Sequence, residues 1–164
     1  MQFGKNHTFD FNRLFIFEMA NNHQGLREHG LKIINAMADI AERRGIRAAM
    51  KLQFRELDTF IHPSHRDSKE NKHIPRFMST RMSEEEFGAL VAETKRRGLI
   101  SICTPFAEPS VDKLERLGIE VIKVGSCSAH DWPLRERVAE TGKPVICSTG
   151  GLTIKDIDKI VSFF

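Results

Sequence analysis

The chain has 164 residues, 25 lysines and arginines against 22 aspartates and glutamates, a net charge of +3 and 40% hydrophobic residues. So mild a charge leaves no footprint for nucleic acid, and no apolar run approaches the roughly 20 residues of a membrane span. The length fits one domain with a sizeable core. The opening MQFGKNHTFDFNRLF has no compact apolar core followed by a small-residue cleavage site, so it does not read as a secretory leader. Cys103, Cys127 and Cys147 are too few, and odd in number, for a disulfide framework. They read as reduced thiols in the cytoplasm, each in or beside a strand and packed as a small apolar group. No CxxC pair or His-x-His spacing argues for zinc.

In chain order, strands alternate with helices. RLFIFEM (13–19) is a strand, and LREHGLKIINAMADIAERRG (26–45) a helix with Leu31, Ile34, Ala38 and Ala41 on one face and Gly45 as its stop. IRAAMKLQF (46–54) is the second strand. Residues 55–82, RELDTFIHPSHRDSKENKHIPRFMSTRM, break the rhythm and read as a long polar, solvated loop of functional or disordered character. SEEEFGALVAETKRRG (83–98) is a helix opened by a Ser83–Glu86 capping box. LISICTPF (99–106) is the third strand, and SVDKLERLG (110–118) a short helix that Ser110 should cap. IEVIKVGS (119–126) is the fourth strand, WPLRERVAETG (132–142) a helix that tolerates Pro133 in its first turn, and KPVICSTG (143–150) the fifth strand. Thr153 and Asp156 form a second capping box over TIKDIDKIVSFF. The alternation predicts an α/β fold with a parallel sheet, either open and doubly wound or a (β/α) barrel.

Side chains on a strand alternate between faces. Leu14, Ile16 and Glu18 share one face of strand one, and Ala49, Lys51 and Gln53 one face of strand two. Ile102 with Thr104, Val121 with Lys123, and Ile146 with Ser148 continue the pattern. Glu18, Lys51, Gln53, Thr104, Lys123 and Ser148 therefore reach one face near the C-terminal strand ends, where parallel α/β proteins place their sites. A buried ammonium is costly without a negative partner, so Lys51 and Lys123 imply an anion such as phosphate or carboxylate. Hydroxyls of Thr104 and of Ser148-Thr149-Gly150 would donate to it. Glu18 suits proton transfer or a hydroxyl grip. NNHQG (21–25) adds polar groups from the first loop, with His23 open between a cap and a site role. Singly, a lysine at a strand end is an ordinary snorkelling side chain and a serine an ordinary cap; five successive strands sharing one polar rim are not.

FEMANNHQG, MKLQF, CTPF, IKVGSCS and KPVICSTGG stand in the order and spacing of the N-acetylneuraminate (sialic acid) synthase family, which includes the nonulosonate synthases and spore-coat polysaccharide biosynthesis proteins. The resemblance runs from about Leu14 onward. It implies a (β/α)8 TIM barrel, of which residues 1–164 would be the N-terminal part, about five units. It also implies condensation of phosphoenolpyruvate with an N-acylated amino sugar such as N-acetylmannosamine, with Mn2+ or Mg2+ as cofactor, in a cytoplasmic homodimer. Glu18, Lys51 and Lys123 are the implied catalytic residues, and Gln53, Thr104, Ser126, Ser148, Asn22 and His23 the implied substrate contacts. Three departures stand out: Ser128 replaces the family's usual glutamate, the two metal-binding histidines belong to later strands, and a C-terminal antifreeze-like domain is not in these residues. The 164 residues thus read as a fragment or truncated member, inactive alone. A deoxy-octulosonate-phosphate type of synthase, served by arginines of the long loop, and a non-catalytic sugar-phosphate-binding module are the competing readings.

Overall fold

The computed structural model of the protein describes residues 9–68 and 70–164. The first eight residues, the start of the MQFGKNHTFDFNRLF stretch, and Lys69 of the 55–82 segment lie outside the described residues. The elements run β1 (Phe15–Ala20), α1 (Arg27–Arg44), β2 (Ala48–Gln53), α2 (Leu57–Phe60), α3 (His73–Ser79), α4 (Glu84–Arg96), β3 (Ile100–Thr104), α5 (Glu108–Arg116), β4 (Val121–Val124), α6 (Trp132–Glu140), β5 (Val145–Cys147) and α7 (Ile154–Phe163). All five strands are parallel and lie side by side in the order β1-β2-β3-β4-β5. A doubly wound sheet reverses its strand order at a switch point. An order that never reverses is the arc of a (β/α)8-type barrel, so the second of the two predicted architectures is the one formed.

Local sequence explains most element ends. Gly45 closes α1 in the left-handed region (φ 58°), and its N–H donates to the carbonyls of Ala41 and Glu42. The Ser83–Glu86 box caps α4 and the Thr153–Asp156 box caps α7, both with reciprocal hydrogen bonds. Asp131 caps α6 by accepting from the Leu134 N–H at 3.2 Å. One expected cap is absent. Helix α5 begins earlier, with Pro109 inside its first turn, and Ser110 lies within the helix, buried, its hydroxyl without a partner.

The two strand faces build two cores. Met50, Leu52 and Cys103 point outward and pack under the helices against Ile34, Leu90 and Leu114. Ala49, Ile102 and Val121 point to the concave side, with Leu14 and Ile146 beside them. Full burial of such a side chain contributes about 1.5–3 kcal/mol, so the alternation is strongly enforced. The concave apolar layer forms a floor, and the polar residues of the same face sit above it toward the C-terminal strand ends.

Residues 55–82 are not a structureless loop. They hold α2, a 3-10 turn at Pro63–His65 and α3. Leu57, Ile61 and Ile74 are buried together with Phe77 against them, a small core that the segment's polar composition conceals. The far end of the segment rests on the first loop. Gly25 has φ 73°, and a Cβ there would stand 2.8 Å from the Ser79 carbonyl oxygen, so only glycine allows the two backbones to meet. The first loop is itself irregular. The β1–β2 register shifts between Glu18 and Ala20, and Ala20 and Gln24 take positive φ of 46° and 56°. Such conformations are costly for residues with a Cβ and gather at functional sites.

Candidate functional site at the C-terminal strand ends

Glu18 and Lys51 are register partners on adjacent strands, and their side chains form an ion pair. Lys51 is largely covered (side chain 14% exposed) and Glu18 half open (47%). The other Glu18 oxygen accepts from the Ala20 N–H at 2.9 Å, a contact that the bulge makes possible. Two strands along, Lys123 donates to Ser148 Oγ at 2.6 Å and to the Val124 carbonyl at 2.7 Å. Burial pushes the Lys123 ammonium below the usual lysine range, and the positive charge of Lys51 pushes it further. The two lysines thus share one concave face and feel each other's charge.

Thr104 lies between them. It pairs with Gln53 in the β2–β3 ladder and continues the β3–β4 ladder toward Lys123. It is 4% exposed, and its hydroxyl is buried without a hydrogen-bond partner. Buried hydroxyls are almost always satisfied, and an orphan flanked by two cations marks a place for an acceptor. Ser126 is exposed at the start of a 3-10 turn, and Ser148 is half-buried. The Ser126 side chain stands 3.7 Å from where a Cβ on Gly150 would be, so the ends of β4 and β5 meet closely. Ser128, at the position of the family's usual glutamate, is buried (7%).

In the first loop the NNHQG residues are divided between solvent and the interior. Asn22 is exposed, while its neighbour Asn21 turns inward and accepts from Arg55 Nη1 at 3.4 Å. The bulge and the positive φ of Ala20 rotate the chain past simple alternation, which no residue count along the motif reveals. His23 is buried (4%), and its Nδ1 accepts from the Gly25 N–H at 3.0 Å. Burial, then the nearby His29, lowers its pKa. The ring is therefore neutral near pH 7, with its proton on Nε2.

A cleft opens beside Gln53, with Asn21, His23, Arg55, Phe77 and Arg81 on its wall. Arg55 is one of the arginines of the long loop. Its Cζ lies 4.4 Å from the Phe77 ring centroid and 4.0 Å from that of Phe106, which tethers the 55–82 segment to the end of β3. Arg81 is held by both oxygens of Asp58, at 3.2 and 2.6 Å.

The cysteines diverge. Cys103 is fully buried, and burial pushes its thiol well up, so it is an inert apolar group. Cys147 is half-buried, but Cys127 is exposed on the 3-10 turn after β4, against the expectation that all three pack as small apolar groups. Among the described residues, no group of three or more His, Cys, Asp or Glu side chains could hold a metal ion. The residues here do not fit the divalent metal that the resemblance implies. No helix among them is long and apolar enough to cross a membrane.

Known proteins align with this geometry. A spore coat polysaccharide biosynthesis protein E from Chromobacterium violaceum superposes with a TM-score of 0.89 and 51% identity, covering 92% of this chain and 45% of that one. The N-acetylneuraminic acid (sialic acid) synthetase of Leptospira borgpetersenii, solved with citrate, gives a TM-score of 0.75 at 27% identity over 93% of this chain and 49% of its own. The pseudaminic acid synthase of Campylobacter jejuni is 27% identical over 172 aligned positions, all of this chain and 48% of that one. The chain therefore spans about half the length of these relatives. The family model described as NeuB matches residues 37–164, and the chain belongs to the NeuB family.

Proposed function

We propose that this rim binds phosphoenolpyruvate and sets it against the aldehyde of an N-acylated amino sugar, making a nonulosonate, in the cytoplasm and as a homodimer. The observation that carries the reading is the orphaned Thr104 hydroxyl set beside two inward lysines on one apolar floor. Relatives named for sialic and pseudaminic acid synthesis support it.

Phosphoenolpyruvate brings a phosphate and a carboxylate. Lys123, Ser148 and Thr104 would bind one of them; Lys51 already has Glu18 as its negative partner and would have to share its ammonium between that carboxylate and the other anionic group. Its C3 attacks the aldehyde carbon, a C–C bond forms, and the former carbonyl oxygen takes up a proton. Water adds at C2 and gives up a proton. The C–O bond to phosphate then breaks as the new C2 hydroxyl becomes the keto group, and its proton leaves with inorganic phosphate. Glu18, half exposed and held by Lys51, is placed to carry one of these protons or to grip a sugar hydroxyl. The lysines contribute by positioning and by charge stabilisation. Any divalent metal would take its ligands from outside these residues, and no role above depends on one. The isolated 164 residues, with five of a barrel's eight units, should not turn over.

The test is phosphate release from phosphoenolpyruvate by the protein expressed from its complete reading frame. Release that requires an N-acylated amino sugar supports the reading, and release indifferent to the sugar, or none, sinks it.

A further inference from the structure

Cys103 is buried and Cys147 half-buried, and burial raises the pKa of both thiols. Cys127 is exposed, on the 3-10 turn (Ser126–Ser128) that follows β4. No role assigned to the rim uses it, yet it stands at the rim. A Cβ on Gly125 would lie 3.5 Å from the Cys127 Sγ and 3.9 Å from the Thr104 methyl carbon, so the sulfur and the threonine border one small space. Independently of the thiol, the orphaned Thr104 hydroxyl marks a place for an acceptor there. The sulfur itself has only a weak contact, with Ser128 Oγ at 4.0 Å. Two cations lie within its electrostatic reach. Burial lowers the pKa of Arg55, and burial followed by the charge of Lys51 lowers that of Lys123; a negative charge on Cys127 opposes the shift at both.

An accessible thiol among cations selects its reaction partners by charge. A cationic disulfide is repelled, whereas a small disulfide bearing carboxylates is drawn by the same charges that would hold an anion at the rim. We propose that Cys127 is a modification site that takes up a mixed disulfide from an anionic low-molecular-weight disulfide, and that the adduct closes the anion rim. The Cys127 thiolate attacks one sulfur of the small disulfide, whose S–S bond breaks as a new S–S bond forms to Cys127. The departing thiolate takes up the proton that the Cys127 thiol released, so no further oxidant is needed. A small thiol reverses the exchange. The adduct brings carboxylates to the side of Lys123 and Thr104, where they compete with phosphoenolpyruvate for the same donors. The proposal rests on the synthase reading only in taking the rim as an anion site, and its test needs neither turnover nor an amino sugar.

The probes are oxidised glutathione, which is anionic, and cystamine, which is cationic, each rate being divided by its rate with 2-mercaptoethanol. With the reduced protein from its complete reading frame, peptide mass spectrometry should find the adduct on Cys127. The anionic disulfide should react about tenfold or more faster at low salt, and added salt should shrink that ratio. Phosphoenolpyruvate or inorganic phosphate should slow the reaction. Lys123→Met, checked by a melting curve, should lower the ratio about threefold or more. By isothermal titration the modified protein should bind phosphoenolpyruvate about tenfold or more weakly than the parent, and 2-mercaptoethanol should restore binding. Cys127→Ser should take up no adduct at this position and bind phosphoenolpyruvate as the parent does. Equal rates for the two disulfides, an adduct on Cys147 in place of Cys127, or a Cys127 adduct that binds phosphoenolpyruvate like the parent overturns the proposal. Unmodified protein that binds phosphoenolpyruvate but releases no phosphate with any N-acylated amino sugar would sink the synthase reading instead, and the rates and affinities would still decide the role of Cys127.

Discussion

Replacing Lys123 with methionine keeps most of the side-chain volume and removes the charge. In the protein as described, Lys123 gives two of its three ammonium protons to Ser148 Oγ and the Val124 carbonyl, leaving one for a ligand. Removing one partner of a buried charge pair costs about 2–5 kcal/mol. Lys123 is half-buried rather than sealed, so the lower part of that range applies, about 2–3 kcal/mol. At 1.4 kcal/mol per factor of ten this lowers kcat/KM for phosphoenolpyruvate by roughly 30- to 150-fold. Stability should barely change. Two hydrogen bonds worth about 0.5–1.5 kcal/mol each are lost, but the desolvated charge and its repulsion from Lys51 go with them. A net change within about 1 kcal/mol moves Tm by no more than about 4 °C at this size. Steady-state phosphate release beside a melting curve measures both. Lys123→Arg, which keeps the charge, should retain more activity than Lys123→Met. If the methionine variant uses phosphoenolpyruvate within threefold of the parent, Lys123 is a structural lysine and the anion site falls.

Thr104→Val removes the orphaned hydroxyl and should leave the melting temperature unchanged or raised, while KM for phosphoenolpyruvate rises about tenfold; a lowered melting temperature with unchanged KM would refute the role. Because the fold holds the Lys123 proton less tightly than the unfolded chain does, the ammonium costs stability at low pH, and that cost disappears as pH rises through the lowered pKa. Binding needs the ammonium, so kcat/KM for phosphoenolpyruvate should fall on an alkaline limb below the ordinary lysine range, and Lys123→Arg should move that limb upward; a limb indifferent to Lys123→Arg assigns it elsewhere. Arg135 is 1% exposed, stacks on Trp132 at 4.8 Å and has its Nε buried without a partner, so Arg135→Met should raise Tm by about 2–4 °C per kcal/mol gained, as read by calorimetry, and a clear drop would mean that its charge is compensated after all.

The alternation of side chains carried the strand faces and the polar rim, because a one-residue slip would have turned Ala49, Ile102 and Val121 out of the concave layer. Both capping boxes and the Gly45 stop were readable because each needs only a local spacing. What escaped depends on contacts remote in sequence. Ser110 looked like a cap, but Pro109 fits the first turn as well and lets α5 start before it. The apolar residues of the 55–82 segment come as two short pairs at helical spacing, Leu57 with Ile61 and Ile74 with Phe77, split by a long polar stretch, and the pairs meet only in the fold. The inward turn of Asn21 follows from a bulge, and the place of Arg55 from two phenylalanines 22 and 51 positions away, Phe77 and Phe106. Arg135 reads as one more surface charge on α6, yet it is buried.

The seat of Ser79 on Gly25 divides the 55–82 segment into parts with different freedom to vary. Among the described residues from His62 to Asn71 nearly all are exposed, and loop-closure entropy grows slowly with length, so residues can be gained or lost there at little thermodynamic cost. The junction at Ser79–Arg81 has no such slack, since backbone meets backbone where a single methyl group would not fit. Length change at the tip would leave in place the junction and the part of the cleft wall that Thr80, Arg81 and Met82 supply. One scaffold can in this way vary the surface of residues 62–71 without moving the residues at the C-terminal strand ends.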